Sequence, residues 1–347
     1  MNASLTVSVD AMGGDAGAGV VIAALARSTV RHPDVRFLLH GDQAALSALL
    51  ARRAKLASRS DIRHTVEQVK MDDKPSQALR RGRNSSMWRS VESVANGQAE
   101  VAISAGNTGA LMAMSMVQLG VLEGVDRPAI AGILPTKKGQ CVVLDLGANV
   151  ASDAEQLVQF AVMGEAFARA ILGLERPTVG LLNVGSEDVK GDDAVRSAAH
   201  MLRSAKLPME YFGFIEGDDI AEGTVDVVVT DGFTGNVALK TAEGTAKLVT
   251  HYLRNALRRS PLSRLGALFA SGALKTLRRK LDPRAANGGI LLGLNGVVVK
   301  SHGSADALGF ASAIDVAVDM ARAGVIPKIV SDLKLLAPLP ATGTAAS

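Results

Sequence analysis

Two short stretches carry residue types suited to holding an anion and steadying a developing negative charge: SAGNTGA (104–110) and DGFTGNVA (231–238). Each follows an apolar, β-branched run and opens a helix-like one. A helix N-terminus presents unpaired N–H groups and a partial positive charge, and glycine lets an anion approach the backbone. In the first stretch Ser104, Gly106 and Gly109 give hydroxyl and backbone access, while Asn107 and Thr108 add side-chain donors. In the second, Gly232 and Gly235 have the backbone role and Thr234 and Asn236 donate. Asp231 either caps the turn or orients a neighbouring donor. Ordinary turns and N-caps use the same residue types, so either loop alone is explained by capping. The recurrence of the pattern leads us to expect two halves of one cradle for phosphate.

Further candidates sit at other strand ends. NVGSEDVKG (183–191) offers Gly185, Ser186 and Lys190, the last as a counter-charge. Lys240 follows Asn236 by four residues, so one helical turn puts both on one face. KSHG (300–303) ends the last apolar run and presents His302, an acid or donor candidate. Asn107, Thr108, Thr234, Asn236 and His302 are expected around one pocket. The Met-rich run after the first loop (Leu111, Met112, Met114, Met116) reads as buried core, with an apolar ligand groove as the alternative. Lys74, Arg80, Arg81 and Arg83 read as a solvated basic face.

Several chemistries find no support. GGDAGAG (13–19) lacks the GxGxxG spacing of a dinucleotide loop, and no His/Cys cluster suits a metal. There is no GxSxG elbow, and Cys141, the single cysteine, lies inside an apolar run as a small core residue. No cofactor, metal or nucleic-acid partner is expected. Any acyl transfer would proceed without an acyl-enzyme.

The elements that must position these residues follow one plan, strand, glycine-bearing loop, helix. Strands are expected at the N-terminal LTVSVD and at 35–41, 101–106, 129–135, 141–147, 178–185, 209–217, 225–232 and 296–303, with a helix over 154–172. Continuous β-branched runs suit strands covered on both faces. The alternation predicts a mostly parallel α/β sheet, with ligands beyond the strands' carboxyl ends. The 347 residues, 48% hydrophobic, can bury a large core. We expect a single domain over 1–336 and a disordered tail over 337–347. Val101–Leu122 is free of charge over 22 residues, but its GNTG break reads as strand, loop and buried helix rather than a membrane span. The N-terminus lacks a signal-peptide layout, and one cysteine suits a reducing compartment.

One segment departs in composition. Residues 251–284 hold nine Lys or Arg against one acid, Asp282, although the whole chain is only +4. Arg258, Arg259, Lys275, Arg278 and Arg279 alternate there with Leu262, Leu265, Leu268, Phe269 and Leu277. A basic, amphipathic helical insertion is expected, able to rest on an anionic membrane or dock an acidic protein.

Taken in order, DAMGGD, KPSQALR with SSM, SAGNTGALMA, DRPAI, VVLDLGAN, VGSEDVKG, DVVVTDGFTGNVALKTAEG and LLGLNGVVVKSHG resemble the phosphate acyltransferases of bacterial phospholipid synthesis, the PlsX family, over roughly residues 5–330. The resemblance implies a Rossmann-like α/β/α sandwich related to phosphotransacetylases and to isocitrate/isopropylmalate dehydrogenases. It implies transfer of a fatty acyl group from acyl-carrier protein to inorganic phosphate in a dimeric cytoplasmic enzyme. The acyl phosphate would then feed an acylphosphate:glycerol-3-phosphate acyltransferase at the inner face of the membrane. Two departures stand out: Ala16-Gly17-Ala18-Gly19 where a proline is common, and Ser186 where an acid is common. The competing expectations are a phosphotransacetylase-type enzyme using acyl-CoA and a non-enzymatic scaffold for lipid enzymes at the membrane surface.

Overall fold

The structure is a computed structural model that describes residues 5–280, 282 and 287–336. The expected tail over 337–347 lies outside the described residues, as do the side chains of Arg278 and Arg279.

Among the described residues eleven strands join one sheet in the order β3-β2-β1-β4-β11-β10-β5-β6-β9-β7-β8. They are β1 (Thr6–Asp10), β2 (Arg36–Gly41), β3 (Ser60–His64), β4 (Val101–Ser104), β5 (Ala129–Pro135), β6 (Gln140–Leu144), β7 (Thr178–Leu182), β8 (Glu210–Ile215), β9 (Val227–Val229), β10 (Gly289–Leu292) and β11 (Val297–Lys300). The central strands are apolar on both faces because helices cover both. Val7, Val9, Ile103, Val142, Leu144, Val227 and Val299 are buried against one layer, and Ala102, Cys141, Val143, Val228 and Val298 against the other. The helix expected over 154–172 spans Ala154–Ile171 and opens with a capping box between Asp153 and Gln156.

The sheet is mostly parallel, as expected, but not of one sense. Among the described residues antiparallel pairing joins β11 to β10, β10 to β5 and β5 to β6. These three reversals make β6, β9, β7 and β8 run opposite to β1, β2, β3, β4 and β11. Carboxyl ends of the two sets therefore leave the sheet on opposite sides of its ladder.

Residues 101–122 form β4, a loop and the helix Thr108–Leu119; no helix among the described residues is long and apolar enough to cross a membrane. Leu111, Met112 and Met114 are buried in the core and Met116 packs against it, so this helix offers no ligand groove. The basic stretch expected to be helical over 251–284 is helical where described, and its first part continues a longer helix. A single helix runs from Gly232 to Arg258, followed by helices Pro261–Phe269 and Ser271–Lys280. Leu262, Leu265, Leu268 and Phe269 are exposed there.

Candidate functional site

The loop after β4 and the end of β11 are neighbours because those strands pair in parallel. Ser301 N donates to Ser104 O (2.9 Å), and Asp15 N to Gly303 O (2.9 Å). Lys300 ends the all-valine strand β11 with its ammonium turned between the two loops. Its Nζ donates to Ser301 O and, at 3.5 Å, to Ala105 O. Burial pushes the Lys300 pKa down to about 8, against the opposing pull of Asp10 and Asp15, with Lys240 adding to the depression. Asp10, at the end of β1, is fully buried and accepts from Ser104 Oγ (2.6 Å); burial raises its pKa.

His302 lies between two sets of donors. Its Nδ1 accepts from Ser304 N (3.2 Å) and lies 3.0 Å from Ser304 Oγ. The tautomer decides the roles: a proton on Nε2 leaves Nδ1 to accept from Ser304 N, and a proton on Nδ1 donates to Ser304 Oγ and leaves Nε2 to accept. That Nε2 is 3.2 Å from Lys240 Nζ, another donor. Burial first, then Lys240, Lys300 and Lys247, hold the ring below the ordinary histidine range, with Glu243 opposing. The shift favours the neutral ring, with Nε2 beside an ammonium. An oxyanion lodged there would accept from both. Lys240 reaches this point because helix Gly232–Arg258 turns back from the end of β9 and carries it about 12 Å along the axis; Glu243 holds the ammonium at 3.0 Å.

The remaining candidates are occupied differently. Asn107 caps the helix Thr108–Leu119 through Oδ1, which accepts from Ala110 N. Its Nδ2 donates to Met71 O and Asp73 O. Ser104 and Gly106 are buried, and Thr108 opens the helix beside them, half-buried with Gly109. Asp231 caps helix Gly232–Arg258: its carboxylate accepts from Thr234 N (2.9 Å) and Thr234 Oγ1 (2.8 Å). Here the Asp231 carboxylate takes the cap position at the helix N-terminus. The glycines there serve close packing. A Cβ on Gly235 would overlap the Asp145 carbonyl, and one on Gly232 the Asn149 carbonyl. Asn236 Nδ2 donates to Leu146 O (3.2 Å). Ser186 and Lys190 are exposed in the loop after β7, with Gly185 buried beneath the Lys190 stem.

The residues of the expected cradle come from both strand sets, with Asn236 one helical turn before Lys240. Lys240 and His302 come together with Lys300 at the end of β11. Asp231, Thr234, Asn236 and the 183–191 loop follow strands of the opposite sense. Sequence reading missed Lys300 and Asp10. Their signal is an ionisable residue closing an otherwise apolar strand, VVVK and TVSVD.

No cluster fit to hold a metal occurs among the described residues. Cys141 is buried, and burial pushes its thiol up to about 12, which rules it out as a nucleophile near pH 7.

Residues 5–328 match the model of a family described as "Fatty acid synthesis protein". The chain is 58% identical to a phosphate acyltransferase of Parvibaculum lavamentivorans, covering 98% of this chain and 94% of the relative. It is 56% identical to a phosphate acyltransferase of Caulobacter vibrioides, covering 100% and 95%. A phosphotransacetylase from Streptococcus pyogenes superposes with a TM-score of 0.62 at 17% identity, covering 93% of this chain and 95% of that one. That likeness shows a shared fold and agrees with the one expected from the sequence.

Proposed function

The chain belongs to the phosphate acyltransferase family of fatty acid and phospholipid synthesis, and on that premise we propose that it transfers a fatty acyl group from acyl-carrier protein directly to inorganic phosphate. The meeting of Lys240 and His302 beside Lys300 carries this reading, because it gathers two cations and an imidazole where phosphate could be held. Phosphate is already an anionic nucleophile near pH 7 and needs no activated serine or cysteine. The acyl C–S bond breaks and a C–O bond to phosphate forms. The proton of hydrogen phosphate passes to the departing sulfur, so the products are acyl phosphate and the free thiol. Lys240, His302 and Lys300 hold the nucleophile and offset charge. The burial of Cys141, Ser104 and Ser301 favours the single-step route.

The partners follow from the same reading. Carrier protein, being acidic, fits the basic end of helix Gly232–Arg258 by charge. Exposed Leu265, Leu268 and Phe269 beside Arg258, Arg259 and Arg264 fit an anionic membrane, where the product would be consumed. An open groove of ≈ 350 Å³ between these helices, lined by Leu253, Leu257, Leu274, Arg254, Arg258 and Arg264, extends the apolar surface. The exposed Leu248, Val249 and Tyr252 on the same long helix suit a homodimer contact.

The test is purified protein with phosphate and either acyl-carrier protein or acyl-CoA, with acyl phosphate trapped by hydroxylamine. Turnover with the carrier thioester and no acylated protein by intact mass supports the proposal. Preference for acyl-CoA would assign the chain to phosphotransacetylase chemistry instead, and no turnover with either would leave only a scaffold role.

A further inference from the structure

The first turns of helix Gly232–Arg258 leave one face uncovered. At 3.6 residues per turn, Phe233, Val237, Lys240, Gly244 and Lys247 share a stripe. Phe233 is 64% and Val237 50% exposed. Nothing stands within 4 Å of where a Cβ on Gly244 would sit. Val150, 80% exposed, lies near the helix N-terminus, because the neighbouring Asn149 carbonyl accepts from Gly232 N at 2.8 Å. Along the stripe Phe233 and Val237, edged by the exposed Asn236, lead over about 10 Å to the cationic Lys240. Large apolar side chains exposed beside a cationic seat mark a ligand surface more often than a solvated one.

We infer that this stripe receives the acyl chain of the thioester and of the acyl phosphate, with the chain along Val237, Phe233 and Val150 and the phosphate end at Lys240 and His302. The inference rests on the acyl-transfer reading above. An acyl phosphate has its parts in the same order, an apolar tail and then an anionic head. The other apolar candidate, the Met-rich helix Thr108–Leu119, is closed because its methionines are core.

The experiment compares wild type with the double variant Phe233→Ser, Val237→Ser. Both positions are exposed, so the fold is expected to persist, and circular dichroism checks it. Turnover is measured with hexadecanoyl and butanoyl donors on the same carrier protein. Binding of hexadecylphosphonate and butylphosphonate is measured by calorimetry. The expected result is a fall of about tenfold in the long-to-short preference in kcat/KM and the same fall in the phosphonate affinity ratio. Equal losses for both chain lengths, or none, overturn the inference. A change of molar mass by light scattering overturns it too, since the stripe would then be a contact between protein chains. If wild type turns over neither donor but the variant loses selectivity for hexadecylphosphonate, the acyl surface stands and the reaction reading falls.

Discussion

The Nε2 of His302 and the Nζ of Lys240 approach to 3.2 Å although 62 residues separate them. One ends a strand from the first half of the sheet; the other rides a helix that begins at the end of β9. The proposed seat for an anion therefore draws on two strand sets of opposite sense, joined by a helix that turns back between them.

Lys240→Met removes one of the two donors. A hydrogen bond to a charged group is worth about 1.5–3 kcal/mol, which corresponds to roughly a tenfold or greater rise in the phosphate KM. Steady-state kinetics at varied phosphate check it, and an unchanged KM would take Lys240 out of the seat.

Lys300 gives the seat a pH dependence of definite sign. Below about 8 its ammonium is charged; as pH rises through that value the charge is lost and anion affinity falls. Asp10, Asp15 and Lys240 are the charged groups acting on it. Sulfate does not titrate in this range, so its inhibition constant reports the protein alone. It should rise several-fold between pH 7 and pH 9 in wild type and stay flat over that window in Lys300→Met. The folded pKa lies below the ordinary 10.5, so the unfolded chain holds the proton in between. This group's contribution to stability therefore rises with pH from about 8 towards 10.5.

We predict that Asp231 acts on the helix rather than on the substrate. Its carboxylate accepts two hydrogen bonds from Thr234 at the N-terminus of helix Gly232–Arg258. Asp231→Ala should lower stability by about 1 kcal/mol, through loss of the cap and of a charge matched to the helix dipole. Denaturant melts measure that loss. A variant with wild-type stability and collapsed turnover per folded molecule would return Asp231 to the chemistry.

The exposed leucines of the basic end make a separate prediction. Phe269 is 84% exposed, with Leu265 and Leu268 beside it. Each Lys or Arg near an anionic surface contributes about 1 kcal/mol, and inserted apolar side chains add transfer energy. Replacing Leu265, Leu268 and Phe269 with serine should release the protein from anionic vesicles in flotation assays while soluble turnover persists. Vesicle binding that survives, together with a sharp rise in carrier-protein KM, would make this end a docking surface.

The buried strands could be read from sequence because both their faces are apolar. β3 and β10 could not. β3, SDIRH, is an edge strand with mostly exposed side chains and no apolar run. β10, GILL, is only four residues and lay unseen beside the LNG turn. Reversal of strand sense was equally hidden, since a strand pattern does not encode its direction. The glycine loops were found, but their meaning changed. Asn107 and Asp231 were visible as donors or caps, and packing decided for caps. Lys300 was passed over because a lysine next to a valine run reads as a strand end meeting solvent, whereas here the neighbouring loops enclose it.

An unbroken helix from Gly232 to Arg258 also fixes a distance. From Lys240 to Arg258 the axis advances about 27 Å, nearly the full hydrocarbon thickness of a bilayer, about 30 Å, whereas one lipid chain spans only half of that thickness. If the basic end rests on lipid with this helix upright, a product held at Lys240 cannot have its tail in the membrane. Release from that point and entry into the bilayer would then be consecutive events, with a detached amphiphile handed over rather than threaded.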